Sequence, residues 1–331
     1  MVITERAYAR AGLIGNPSDG YFGKTISFLI KNFFAEVTLY ESPEIEVVPN
    51  EKDHRTFKSM QELVDDIRLY DYYGGIRLLK AAIKKFSDYC REKGVALEKK
   101  NFTLRYSSTI PRHVGMAGSS AIITAAFRCL MKFYGVDIPR DLLPNYILSA
   151  EAEELKIAAG LQDRVIQVFG GMVFMDFNRE HMEKAGCGIY ESLPLDRLPP
   201  LYVAFRTDCA EVSDRAHSNL RARFEAGDEA VVDAMAFWAD LAQRAKAVLL
   251  GKSGGSLHDL MNANFDKRRE IMPISPANLD MVMAARGTGA SAKFTGSGGA
   301  IVGAYSGEKQ YRALEQELGK MNIQVIKPEI A

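Results

Sequence analysis

A chain of 331 residues is longer than one ordinary hydrophobic core and points to two domains. Its 42 lysines and arginines match its 42 aspartates and glutamates, so no overall charge draws it to nucleic acid or to an anionic membrane. The four cysteines, Cys90, Cys129, Cys187 and Cys209, are widely spaced with no C-x-x-C pair, which argues against a zinc site or a disulfide framework. No apolar run is long enough to span a bilayer and the first residues lack a signal-peptide core, so a cytoplasmic protein is expected.

In chain order, residues 6–14 read as an apolar strand, followed by the turn run Gly15-Asn16-Pro17-Ser18-Asp19-Gly20. Gly23-Lys24-Thr25 copies the end of a Walker A loop, but Ser18 stands where that loop needs glycine, and the P-loop is rejected. Residues 33–40 alternate as a strand, with 45–48 as its expected partner. Residues 76–90 have helical spacing that puts Ile76, Leu79, Ile83 and Phe86 on one face.

A strand at 102–106 leads into Ile110-Pro111-Arg112-His113-Val114-Gly115-Met116-Ala117-Gly118-Ser119-Ser120-Ala121, and a helix at 121–133 leads out. Gly115 and Gly118 allow a sharp turn and a close approach to a ligand. Ser119 and Ser120 fall at the expected N-cap and first turn, where free N–H groups and the helix dipole favour an anion. A serine hydroxyl there can also hold Mg²⁺ against bound phosphates.

A helix over 142–159 carries Glu151, Glu153 and Glu154; Gly160-Leu161-Gln162-Asp163 interrupts it and 164–169 resumes it. Gly170-Gly171 ends that segment before a strand at 172–177. The proline-rich run from Leu193 to Pro200 cannot continue any element and divides the chain into domains 1–193 and 200–331. Beyond it come a strand at 201–206, helices at 214–225, 229–250, 256–269 and 276–286, strands at 292–295 and 300–305, a helix at 309–320 and a strand at 323–326. Strands and helices mixed without strict alternation predict an α+β protein. Between the two strands at 292–305, Lys293-Phe294-Thr295-Gly296-Ser297-Gly298-Gly299-Ala300 is either a phosphate-facing backbone nest or a glycine-rich hairpin turn.

Three of these stretches resemble the motifs of the GHMP kinases. The run Pro111 to Ala121 is similar to their phosphate loop, with one residue added before Gly118. The run Lys293 to Ala300 is similar to their third motif, with Ser297 and Ala300 replacing an alanine and a glycine. Ala9-Arg10-Ala11-Gly12-Leu13-Ile14-Gly15-Asn16-Pro17-Ser18-Asp19 is similar to the first motif, but Asn16 and Pro17 stand where galactokinases carry Glu and His. Within the family the likeness is strongest to plant glucuronokinases, and Gly160-Leu161-Gln162-Asp163-Arg164-Val165 and Leu260 to Arg269 belong to it.

The resemblance implies a ribosomal-S5-like N-terminal domain, a ferredoxin-like C-terminal domain, and transfer of phosphate from ATP to the anomeric hydroxyl of D-glucuronate. ATP with Mg²⁺ would lie along Gly115, Met116, Ala117, Gly118, Ser119 and Ser120, closed over by Gly296, Ser297 and Gly298. Asp163 would be the base and Arg10 the cation beside it; Ser120 and Glu151, or Glu153 in its place, would hold the metal. Asn16 and Asp19 would meet the sugar. A sugar carboxylate calls for an arginine; Arg206, Arg221, Arg223, Arg268 and Arg269 are all available, and Arg221, in the helix starting at Asp214, is favoured. No nucleic-acid or membrane partner is expected, and a monomer and a homodimer are both open. Transfer to a heptose phosphate or a neutral aldose, or a homologue that binds ligands without catalysis, are the alternatives.

Overall fold

Two long strands frame the first half of the chain. In the computed structural model, which describes residues 1–50, 53, 74–206 and 214–330 (side chains of the last stretch from 220 onward), β1 (Val2–Ile14) and β2 (Lys24–Ser42) pair antiparallel from Val2↔Tyr40 to Ile14↔Ile26. The first half of β1 alternates between exposed and covered positions, whereas its second half, from Ala9 to Ile14, is buried on both faces and is apolar except for Arg10. The connection holds a cis Asn16–Pro17 peptide and a short 3₁₀ turn, Ser18–Tyr21.

Residues Glu46–Val47 form β3 and Asn101–Ser108 form β4. The expected pairing of residues 45–48 with 33–40 is corrected here: β3 runs parallel to Thr103 and Leu104 of β4 instead. Along residues 35–40, β2 is flanked by β1 on one side and by β4 on the other, so neither edge is free. The N-terminal part of β2 pairs with β5 (Met172–Asp176), which pairs in turn with β6 (Ile189–Ser192). Lys24, the lysine of the rejected P-loop, pairs with Asp176 Oδ2 at 3.0 Å across this ladder.

Helices α1 (Gly75–Glu92) and α2 (Gly118–Tyr134) pack on each other, and α2 packs on β1 and β2. The amphipathic face of α1 buries Leu78, Leu79, Ala82 and Phe86. Helix α3 (Leu143–Ser149) runs into one π-helical turn, Ala150–Glu154. The helix expected to reach residue 159 therefore ends early: Lys156 is left-handed (φ 58°), and Ile157 N–H closes the turn onto the Glu151 carbonyl. Helix α4 (Gln162–Phe169) starts two residues before its expected onset, which brings Asp163 into its first turn. A short α5 (Arg179–Ala185), capped by Asn178, joins β5 to β6; neither α5 nor β6 was anticipated.

Past the proline run, β7 (Leu201–Arg206), β8 (Lys293–Phe294), β9 (Ala300–Ala304) and β10 (Ile323–Ile326) make an antiparallel sheet in the order β10-β7-β9-β8, the ferredoxin-like order. With it stand α6 (Asp214–Glu225), α7 (Glu229–Leu249), α8 (Leu257–Ile271), α9 (Pro276–Gly287) and α10 (Glu308–Gly319). The architecture is α+β. The two sheets share one core, in which Leu13 and Phe28 of the first half join Val203 and Trp238 of the second, and the tail returns to bond Lys31 N–H through the Glu329 carbonyl at 2.8 Å. Among the described residues, no helix is long and apolar enough to cross a membrane.

Candidate active site

The site is assembled around a buried arginine. Arg10 lies on β1 and is 5% exposed. Its Nε donates to Asp163 Oδ1 at 2.7 Å, and its Nη1 donates to the carbonyls of Gly115 at 2.6 Å and Thr295 at 3.1 Å. One planar guanidinium thus ties the start of α4 to both glycine-rich loops, a fork that a lysine could not reproduce.

Those loops touch backbone to backbone. Gly115 is left-handed (φ 64°), and a Cβ there would come within 2.9 Å of the Ser297 amide nitrogen and 3.0 Å of the Gly298 carbonyl oxygen. A Cβ on Gly296 would lie 2.5 Å from the Gly115 carbonyl oxygen and 2.9 Å from the Arg10 guanidinium. Thr295 Oγ1 donates to the Gly115 carbonyl at 3.1 Å, and Gly12 N–H to the Thr295 carbonyl at 2.8 Å. The second loop is held from behind by Arg268, 4% exposed, whose two terminal nitrogens donate to the carbonyls of Gly296 and Ser297. Asn278 Oδ1 accepts from Gly299 N–H at 3.1 Å.

The first loop departs from expectation at its end. The left-handed residue before α2 is Ala117 (φ 63°), not a glycine, and it is the N-cap without a side-chain cap bond. Gly118 is already helical, and a Cβ there would meet only Ile110 at ordinary contact distance. Ser119 and Ser120 therefore sit within the first turn of a 17-residue helix, not at its cap. Their amides are at the positive end of the helix, where phosphate oxygens are favoured. Met116 is buried; its carbonyl accepts from Arg10 N–H. Ser120 is fully buried, and its hydroxyl donates to the Ala117 carbonyl at 3.2 Å; Ser119 is half-buried.

Asp163 keeps 19% of its side chain exposed, with Arg10 on Oδ1 and Arg164 Nη1 at 3.5 Å from Oδ2. Beside it Asp19 accepts from the Gln162 amide at 3.3 Å, capping α4 from the first motif. Gly160 makes room for this, since a Cβ there would fall on Asp19 Oδ2. Burial, and after it the Asp163 carboxylate, push the Asp19 pKa up to about 6.

The two glutamates considered for the metal part company. Glu153 pairs with Lys85 of α1 and is exposed, while Glu154 pairs with Lys84 at 2.7 Å. Glu151 turns inward, 1% exposed, in an ion pair with Arg164. Among the described residues, no group of three or more His, Cys, Asp or Glu side chains is placed to hold a metal. With Ser120 donating into its own turn and Glu151 already paired, these two side chains do not form a ready Mg²⁺ site.

Asn16 is also turned inward. It is 3% exposed, its Oδ1 accepts from Lys293 Nζ at 2.6 Å, and its carbonyl accepts from Asn264 Nδ2 at 3.0 Å. Lys293 is buried with the carbonyls of Gly12 and Phe294 as further acceptors; burial, then Arg268 and Arg10, hold its pKa well below the ordinary lysine value. Of the candidate arginines, Arg223 is bound to Asp228 and the Ile271 carbonyl, and Arg268 to the glycine loop. Arg221 is half exposed, 4.9 Å over the Tyr21 ring and beside Gly20, with Glu225 Oε1 4.0 Å away. The side chains of residues 214–219 at the start of its helix, and Cys209, lie outside the described residues.

Sequence reasoning did not anticipate Arg164, Asn264 or the inward course of Lys293. Arg164 follows Asp163 directly, and an arginine beside a candidate base was the available signal; Asn264 offered none.

Residues 77–171 match the model of the GHMP kinases N terminal domain. The chain is 46% identical over 327 residues to probable glucuronokinase 2 of Arabidopsis thaliana, covering 96% of this chain and 89% of that protein. It is 44% identical over 325 residues to glucuronokinase 1 of the same plant, with the same coverage. Its fold superposes on a solved galactokinase of Lactococcus lactis in complex with galactose with a TM-score of 0.75 at 14% identity, over 99% of this chain and 93% of that one.

Proposed function

The chain belongs to the GHMP kinases, phosphotransferases with an alcohol group as acceptor, and from that premise we propose that it phosphorylates the anomeric hydroxyl of D-glucuronate with ATP. The observation that carries this is the Arg10 guanidinium bridging Asp163 to the Gly115 carbonyl. It ties the candidate base to the candidate phosphate loop through one rigid group. Phosphoryl transfer asks for little more than such positioning, in-line geometry and charge stabilisation.

In this proposal ATP enters as its magnesium complex. Its phosphates lie against the amides of residues 118–120 at the start of α2, closed over by the Gly296–Ser297–Gly298 loop. The sugar occupies the space beside Asp19 and Asp163. Asp163 takes the proton from the anomeric hydroxyl, and Arg10 fixes the carboxylate and places a cation where alkoxide charge develops. Asp19 holds sugar hydroxyls. Arg221, a half-exposed guanidinium over Tyr21 and beside Gly20 of the Asp19 turn, meets the sugar carboxylate. Asn16 acts from behind, as the link between the first motif and Lys293.

The test is a panel of sugars with ATP, read as ADP release and as the phosphorylated product. Turnover on glucuronate with product phosphorylated at C1 is expected. Turnover on a neutral aldose or a heptose phosphate with none on glucuronate would reassign the acceptor, and no ATP consumption with any sugar would overturn catalysis itself.

A further inference from the structure

The base has a guanidinium on each side, one hydrogen-bonded and one at ion-pair distance, and the second belongs to an arginine that the proposed mechanism leaves idle. Arg164 is 3% exposed, on the same first turn of α4 as Asp163. Its Nη1 donates to the Gly160 carbonyl at 2.9 Å and stands 3.5 Å from Asp163 Oδ2; its Nη2 pairs with Glu151. Its Nε has no partner. Arg10 approaches the same carboxylate through Oδ1, so Asp163 lies between two guanidiniums from different elements.

Two buried cations in one pocket repel each other and are tolerated only with a buried anion to offset them. Glu151, carried inward by the π-helical turn, is that anion: it is 1% exposed and already engaged. Its neighbours Glu153 and Glu154 face the lysines of α1 and cannot serve. A carboxylate so committed is poorly placed to bind a cation that arrives with a nucleotide.

We infer that Arg164 is a positioning residue for Asp163, and that Glu151 is its buried counter-ion and not a ligand of the nucleotide's magnesium. The inference rests on Asp163 being the base proposed above. Arg164 sets the direction of the second carboxylate oxygen, and Glu151 keeps Arg164 in place; both act on turnover through Asp163 and neither touches ATP.

Three variants test this: Glu151→Gln, Arg164→Met and the two together. Each single change leaves a buried charge uncompensated or a buried carboxylate unpaired and lowers the melting temperature, whereas the double change removes both charges, leaving only a neutral amide, and regains part of it. Turnover by the double variant stays about 10²-fold down in kcat with the KM for ATP unchanged, because the base has lost its second hold. Mn²⁺ binding to the enzyme–ADP complex, followed by electron paramagnetic resonance, is the same in Glu151→Gln as in the unaltered protein. A double variant that regains kcat along with its melting temperature would make the pair purely structural. A loss of Mn²⁺ affinity of about tenfold or more in Glu151→Gln would make Glu151 a metal ligand. The kinetic arm uses whichever sugar the enzyme accepts, and the melting and metal arms need none, so a wrong acceptor leaves the test intact.

Discussion

Arg10 and Asp163 are 153 residues apart in sequence, and their side chains meet at 2.7 Å. The same guanidinium reaches the Gly115 carbonyl at 2.6 Å, so the geometry of the base and that of the phosphate loop are not independent.

Asp163→Asn keeps the shape and a hydrogen-bond acceptor for Arg10 but cannot take a proton. The variant is expected to fold with a lowered melting temperature, because the buried Arg10 loses its counter-charge, and to bind ATP normally while losing about 10²–10⁴-fold in kcat. Near-normal turnover would remove Asp163 from the mechanism.

Gly296→Ala places a methyl 2.5 Å from the Gly115 carbonyl oxygen, where both partners are backbone and neither can step aside. The two loops must separate, at a cost of about 1–3 kcal/mol. A lower melting temperature and a raised KM for ATP are expected, with the KM for sugar little changed. Unaltered ATP affinity would show that contact between the loops does not shape the nucleotide site.

Asp19 supplies a pH signature. Its folded pKa of about 6 lies above the ordinary aspartate value of 3.8, chiefly through burial and then through Asp163. A carboxyl group raised in this way favours the folded state at low pH, and that contribution is lost as pH climbs from about 4 through about 6. Asp19→Asn, which keeps an acceptor for the Gln162 amide, should therefore be stabilising at pH 8, by up to about 3 kcal/mol, and near neutral below pH 4. Its sugar KM should rise. Thermal melts across this range decide the point: a gain that does not depend on pH would place its origin elsewhere.

Arg221→Gln removes a half-exposed cation beside the Asp19 turn. The KM for glucuronate should rise about tenfold, the scale of one partly solvated charge-assisted hydrogen bond. Residual turnover on a neutral sugar should not change. An equal loss on both sugars would show that Arg221 does not read the carboxylate.

Much of this was legible before any coordinates. The glycine and serine pattern after the 102–106 strand marked the start of α2, and the proline run after Leu193 marked the passage from one sheet to the other. Such residues act through their own φ preferences and missing or polar side chains, so their message is local. The partner of residues 45–48 was misassigned because alternation reveals a strand and not which edges remain free; β1 and β4 had already taken both sides of β2. The N-cap of α2 was misplaced by two residues: Ala117, in a left-handed conformation that propensity alone would give to glycine, stands there in place of Ser119.

The order of amino acids by itself determined the family, the α+β class and the placing of Arg10 on the first strand, Asp19 in the turn after it and Asp163 at the break before α4. Only the tertiary structure decided that Arg10 joins the base to the glycine loops, that Asn16 faces Lys293, and that Glu151 answers Arg164 while Glu153 turns to the surface. A side chain's type sets which interactions it can make. Which of them it does make depends on the groups that packing carries into the same buried space, where an unmatched charge cannot be left to water.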